Sequence, residues 1–186
     1  MKIAIDIGHM GKRSRFRDRG SIYGSNIESD MALQYAIVLR KLLETAGYIT
    51  FLLAYDSYKA RHQFCSDMDF DLHVQCHFNS SIRPANYSAL IFRKRDKDGT
   101  ALATIIKSKW TSTFSTRCHL WPATHKDKGW WYCLAKSIPS IILEPLFINN
   151  EDHLELLYHY DGFYKIGRST ADAITEWDKG EEYGTS

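Results

Sequence analysis

Short apolar runs alternate with longer stretches of helical spacing along this chain. The run Lys2 to Gly8 is β-branched, ends in glycine and gives way to the polar stretch HMGKRSRFRDRGSIYGSN, which predicts a strand followed by a long loop. From Glu28 onward Met31, Leu33, Ala36, Ile37, Leu39, Leu42 and Leu43 recur mostly at helical spacing, and Ala46-Gly47 supplies a stop. A helix is therefore expected over about 27–46. Tyr48 to Ala54 reads as a second strand, Ser57 to Met68 as a second helix and Phe70 to His77 as a third strand. Tyr87 to Arg93 offers a further strand, Gly99 to Arg117 a helix, and Ser140 to Phe147 a fully buried strand. Glu151 to Trp177 reads as one or two helices broken near Gly162. Residues 118–138 have no readable period and are expected to hold a short strand and a loop lining a site.

This alternation predicts an α/β fold with three layers: a mostly parallel, twisted central sheet of about five to six strands with helices on both faces. Sites in such sheets lie beyond the carboxyl ends of the strands, which directs attention to His9, to the segment around His77 and to the segment around Glu144. No internal repeat, low-complexity tract or linker interrupts the pattern. A single domain is expected over 1–178, with 179–186 as a frayed tail.

Composition narrows the function classes. With 24 Lys and Arg against 22 Asp and Glu the net charge is only +2, so no general case exists for a nucleic-acid or membrane-surface protein. The four cysteines, Cys65, Cys76, Cys118 and Cys133, form no C-x-x-C pair, and reduced, mostly buried thiols are expected. The apolar run after Lys2 is too short for a signal peptide, and no later run approaches about 20 apolar residues. The expectation is a soluble product made in the cytoplasm without stable membrane insertion.

Several polar residues do not suit a core. Glu144 sits inside SIILEPLFI, where a carboxylate is costly unless paired, and Pro145 holds it extended. Alternation along DLHVQCHFN puts His73, Gln75 and His77 on one face and Cys76 on the other, with His77 at the carboxyl end. His73 reads as a satisfied structural histidine and Cys76 as a small apolar filler. His9 follows the first strand, and Glu28 opens the first helix, where an acid is favoured anyway. All of these converge on one edge of the expected sheet. Two imidazoles and a carboxylate form a catalytic zinc set with an open position for water, and a carboxylate outside that set can carry the proton. His9, Glu28 and His77 fit the first role, and Glu144 fits the second. Asp6 is a candidate supporting or structural carboxylate, and His125 is a further candidate from the unreadable segment.

These residues resemble the zinc-dependent N-acetylmuramoyl-L-alanine amidases of the amidase-3 type, a family of bacterial cell-separation amidases and many phage endolysins. The family's opening strand, glycine and histidine is matched by IAIDIGHMG, its Asp-x-Gly loop by Asp18 and Gly20, its ligand glutamate by Glu28 and its His-x-Asn pair by His77 and Asn79. Its closing segment is matched by PSIILEPLFINNEDHLELL, in the family's order and spacing. The departures are Ile7 for the usual proline, Met10 for the usual second glycine and Leu146 for the usual glycine after the catalytic glutamate.

The resemblance implies one Zn²⁺ per chain and hydrolysis of the amide between N-acetylmuramic acid and the first L-alanine of the peptidoglycan stem peptide, with Glu144 as base and then acid. Asn79 is implied to orient substrate or a ligand, alongside a purely local turn role. Trp130 and Trp131 read as stacking or core residues. The loop KRSRFRDR, 12–19, with five basic residues and one acid, reads as solvated or as a holder of anionic wall polymer. A compact amidase of this kind resembles a phage or prophage endolysin, released to the cell wall through a pore of the holin type. The alternatives are a zinc peptidase or deacylase acting on another amide, and a wall-binding module without catalysis.

Overall fold

Ile3, Ile5 and Ile7 point to one side of the first strand and Ala4 and Asp6 to the other, and all five are buried. A strand buried on both faces belongs in the middle of a covered sheet. The computed structural model, which describes residues 1–10, 18–83, 85–127 and 134–180, places it there. The elements run β1 (Lys2–Ile7), β2 (Ile22–Tyr23), β3 (Asn26–Ile27), α1 (Glu28–Thr45), β4 (Ile49–Leu53), α2 (Tyr58–Asp67) and β5 (Leu72–Cys76). They continue through β6 (Tyr87–Arg93), α3 (Lys97–Phe114), β7 (Arg117–Ala123), β8 (Ser140–Glu144), α4 (Glu151–His159) and α5 (Gly162–Asp178). Six strands form the central sheet in the order β4-β1-β5-β8-β6-β7, and β2 and β3 form a small antiparallel ribbon.

β4, β1, β5 and β8 are parallel, whereas β6 pairs antiparallel with β8 and parallel with β7. The expected mostly parallel sheet with helices on both faces is the one observed, with one reversed pair at its edge. α1, α3 and α5 pack over Ile3, Ile5, Ile7, Leu72, Val74 and Leu90, while Cys65 of α2 packs with Ala4, Leu53 and Phe70 on the other face.

Two elements, the third helix and β8, end well short of the expected Arg117 and Phe147. The third helix ends at Phe114, because Ser115 takes a left-handed cap (φ 54°) and the chain turns straight into β7 at Arg117. β7 is the short strand foreseen in 118–138; it lies at the sheet edge, where Pro122 is tolerated because one side of the strand needs no partner. β8 stops at Glu144 because Pro145 has no N–H to continue the ladder, although Asn79 and Phe147 resume it as an isolated bridge. Cys65, Cys76 and Cys118 are buried free thiols, and burial pushes those of Cys65 and Cys118 up to about 12. Cys133, Trp130, Trp131, residues 12–17 of the basic loop and residues 181–186 of the tail lie outside the described residues.

α5 lies against α1 through Gly167, where an added Cβ would stand 2.8 Å from Val38 side-chain atoms and 3.0 Å from the Leu39 backbone nitrogen. The backbone cannot give way there. Gly167→Val is expected to destabilise the fold by about 1–3 kcal/mol through overpacking. Urea denaturation should show a lower midpoint with an unchanged slope, and a midpoint equal to wild type would show that the two helices can separate freely.

Candidate active site

The parallel register assembles the site. Ile7 pairs with Cys76 and Cys76 with Leu143, so one step further Gly8, His77 and Glu144 stand side by side at the carboxyl ends of β1, β5 and β8. The ladder continues through that step, with Gly8 N–H donating to Cys76 O at 2.9 Å and His77 N–H to Leu143 O at 3.0 Å. The His77 ring lies on Gly8: a Cβ there would meet three ring atoms at 2.3–2.5 Å, so no other residue fits opposite this histidine. Tyr35 of α1 donates to the His77 carbonyl at 3.1 Å and fixes the strand end from the helix side.

Glu28 arrives from the first turn of α1. Its Oε1 lies 2.8 Å from His77 Nδ1 and 3.3 Å from His9 Nε2, and its Oε2 accepts from Ser21 N–H at 2.9 Å. Gly20, at φ 73°, packs so closely on this carboxylate that a Cβ would sit 2.5 Å from Oε2. No side chain caps α1. Instead the carbonyls of Ser21 and Arg19 take the N–H groups of Glu28 and Ser29, tying the helix start to the Asp18–Ser21 loop. Burial opposes the Glu28 charge, but hydrogen bonds from His77 and then His9 outweigh it and hold the carboxyl below its ordinary range.

His9 is turned inward by a left-handed backbone, φ 61°. Its Nδ1 faces Asp18 Oδ1 at 2.9 Å, leaving Nε2 towards Glu28, and its ring meets that of His77 edge to face at 4.9 Å. Burial works against a charged imidazole here, but Glu28 and then Asp18 raise the His9 pKa above its usual value.

His9, Glu28 and His77 thus offer donor atoms within 4.8 Å of one another. This set fits zinc: it has the right donor types, and two donors on a tetrahedral ion stand roughly 3.3 Å apart. His77 also keeps a buried Nε2 without a hydrogen-bond partner among the described residues. Asp18 behind His9 is the usual carboxylate that fixes a ligand imidazole's tautomer.

Glu144 is buried beside this set, and its Oε2 has no hydrogen-bond partner among the described residues. Burial, and secondarily the charge of Glu28, push its carboxyl well above the ordinary carboxylate range. Asn79 donates from Nδ2 to the Glu144 carbonyl at 3.3 Å, and its backbone bonds Leu146 and Ile148. These bonds clip the strand end in place.

Two other candidates lie elsewhere. His125 follows β7, whose carboxyl end pairs with that of β6 and so lies beside Ser140, the start of β8, at the opposite end of the sheet from Glu144. There it lines a cavity of about 820 Å³ with Arg93, Lys94, Arg95 and Lys126. The expectation that His125 reaches the site is thus corrected: strand direction, invisible in local pattern, sends it the other way. Asp6 faces away from the three donors and bonds the Arg61 guanidinium, His73 Nε2 at 3.2 Å and Gln75 Nε2 at 3.3 Å. Asp6, His62 and His73 also bring donor atoms together, but Arg61 already neutralises that carboxylate, which disfavours a cation. Arg19, from the basic loop, pairs with Asp30 at 3.2 Å.

His153 escaped the sequence reading. Phe147 N–H donates to its Nδ1 at 2.9 Å, so Nε2 carries the proton and donates to Asn86 Oδ1 at 2.9 Å. With Asn150 Nδ2 on the Ala85 carbonyl at 2.9 Å, it clamps the segment after Glu144 to the loop after Asn79. Its only sequence signal is a histidine on the inner side of an N-capped helix. Burial lowers the His153 pKa. The unfolded chain then binds more protons below about pH 6.5, so this stability is complete above that value and is lost as pH falls through the folded pKa. His153→Gln, which bonds without titrating, is expected to lose less melting temperature than wild type between pH 7 and pH 5.5. Equal losses would remove His153 as the cause.

The Amidase_3 family model, described as N-acetylmuramoyl-L-alanine amidase, matches residues 3–176. No curated protein sequence matches the chain. Among solved structures, the CwlD amidase of Clostridioides difficile, determined in complex with the GerS lipoprotein, is similar with a TM-score of 0.83 at 20% identity, covering 97% of this chain and 99% of that one. The amidase AmiC2 of Nostoc punctiforme gives 0.80 at 20% identity over 96% and 97% of the two chains. The catalytic domain of the CD27L endolysin targeting Clostridia difficile gives 0.72 at 17% identity over 95% and 97%. At such identities the structures speak for the fold alone, and the family rests on the sequence match across nearly the whole chain. The protein belongs to the Amidase_3 family of N-acetylmuramoyl-L-alanine amidases.

Proposed function

We propose that this amidase is zinc-dependent, that His9, Glu28 and His77 hold the metal, and that Glu144 is its general base. The observation that carries the reading is the pairing of a three-donor cluster with a buried, unpartnered carboxylate oxygen on the adjacent strand end. Zinc, when bound, acts as a Lewis acid that acidifies water towards neutrality and polarises a carbonyl.

The chain's own residues do the rest. Asp18 holds the His9 tautomer so that Nε2 offers its lone pair. Glu28 supplies the negative charge of the ligand set. Glu144 takes the proton of the attacking water as the new C–O bond forms, then delivers it to the nitrogen as the C–N bond breaks, so that the departing L-alanine leaves as a neutral amine. With a cation held by His9, Glu28 and His77, Glu144 would face a smaller net negative charge and would more readily take the ionised form a general base needs. The bond cleaved is the amide between the lactyl group of N-acetylmuramic acid and L-alanine.

Peptidoglycan digestion followed by mass spectrometry, run together with zinc stoichiometry, tests this assignment. Expected products are lactyl-terminated glycan and peptides beginning with L-alanine. Glu144→Gln should keep one zinc and lose about 10²–10⁴-fold in kcat, whereas His77→Ala should lose the zinc as well. Cleavage inside the stem peptide favours a peptidase instead, and lysis surviving Glu144→Gln removes Glu144 as the base.

The finer part of the proposal is a phage endolysin role, with release to the wall through a holin-type pore. The amidase-3 type takes in phage endolysins as well as bacterial cell-separation amidases, so membership of the family is compatible with this role and equally with a bacterium's own wall enzyme. Among the described residues no helix is long and apolar enough to cross a membrane. Expression in a host should leave cells intact until a pore-forming protein is co-expressed, and lysis without one would exclude the pore-dependent role.

A further inference from the structure

His9 is the one member of the three-donor cluster held in a left-handed backbone, which a non-glycine side chain adopts only when its surroundings impose it. What imposes it comes from α2. Arg61 is buried to 1% exposure, and its guanidinium grips the chain on both sides of His9. Nη1 donates to the Ile7 carbonyl at 2.9 Å and to Asp6, and Nη2 donates to the Met10 carbonyl. The rest of the fork reaches the loop that leads into α2, Nε to the Tyr55 carbonyl at 2.7 Å and Nη2 to that of Asp56 at 3.3 Å. One helical turn earlier, Tyr58 Oη accepts the His9 N–H itself at 3.1 Å.

The turn is thus held before, at and after His9 by one helix, which is anchored to β1 through Asp6. None of these atoms belongs to the donor cluster. A partner for the Asp6 charge requires only a cation. Holding the Ile7 and Met10 carbonyls while reaching Tyr55 and Asp56 requires the planar fork of arginine, which a single ammonium cannot reproduce.

We propose that Arg61, assisted by Tyr58, is a positioning residue for His9: it fixes the Ile7–Met10 turn in the conformation that aims the His9 imidazole at Glu28 and His77, and so sets the affinity of the site for its metal. This inference rests on the zinc reading given above. Arg61 acts through His9 and touches neither metal nor substrate.

The test is competitive titration of chelator-stripped protein with Zn²⁺, together with the visible absorption of the Co²⁺-loaded protein, for wild type, Arg61→Lys and Tyr58→Phe. Arg61→Lys keeps a charge for Asp6, and it is expected to bind zinc about 10–100-fold more weakly, as removal of a group supporting a ligand does, with an altered cobalt spectrum. Tyr58→Phe should fall in the same direction by less. Gly167→Val, destabilised far from the site, controls for a general loss of stability and should bind zinc as wild type does.

A folded Arg61→Lys with wild-type affinity and cobalt spectrum overturns the proposal while leaving the zinc reading intact. Should Arg61→Lys not fold, Tyr58→Phe decides, and wild-type affinity there overturns the proposal. Wild type that takes up no zinc sinks the zinc reading itself, and the positioning role with it.

Discussion

Glu28 brings a negative charge to a place where little water reaches it, and that charge is met by imidazoles arriving from two different strands. An ionised carboxylate in such surroundings is tolerable only while every partner stays in place. The neighbouring structure reads as a set of devices for keeping them there. Gly8 and Gly20 remove the side chains that would push His77 and Glu28 apart, Ser21 takes the second carboxylate oxygen, and Asp18 fixes the far side of His9. The same arrangement that satisfies the carboxylate collects three metal donors, so local stability and chemistry share one geometry.

The parallel register supplies the rest. Because β1, β5 and β8 end level, Glu144 stands beside His77 without any loop having to carry it there. Side chains on rigid strand ends are held more exactly than side chains on loops. Only His9 depends on a turn, and that turn is the one gripped by a buried arginine. The site thus combines strand ends braced by Tyr35 and Asn79 with one turn residue gripped from α2.

Much of this was legible in the sequence because the decisive residues break local rules. A glutamate inside SIILEPLFI and a histidine ending a buried strand are costly where they stand, and cost is visible without a structure. The order of the main strands and helices followed from periodicity together with β-branched runs and glycine stops, whereas the β2–β3 ribbon inside the expected long loop did not. The illegible parts share a different property: they depend on pairing between distant segments. Nothing in Tyr87–Arg93 or in Arg117–Ala123 tells a strand which way its neighbour runs, so the reversed pair was missed and His125 was drawn to the wrong end. Arg61 drew no notice in the sequence, because the partners that give it its role at His9 lie 51 and more residues away at Met10, Ile7 and Asp6. His153 escaped for the same reason, its ring bonding Asn86 across 67 positions of sequence.

The reversed pair makes the molecule two-ended. β4, β1, β5 and β8 open at the donor cluster, while β6 and β7 open at a cavity lined by Arg93, Lys94, Arg95 and Lys126 together with Asp96, which pairs with Arg93. The four residue steps from Ser140 to Glu144 put about 13 Å of sheet between these ends. Substitutions around Lys94, Arg95 and Lys126 can therefore change the surface charge at one pole without moving a ligand at the other. A fold wound this way gathers the donor cluster at one pole and leaves the other pole outside its geometry.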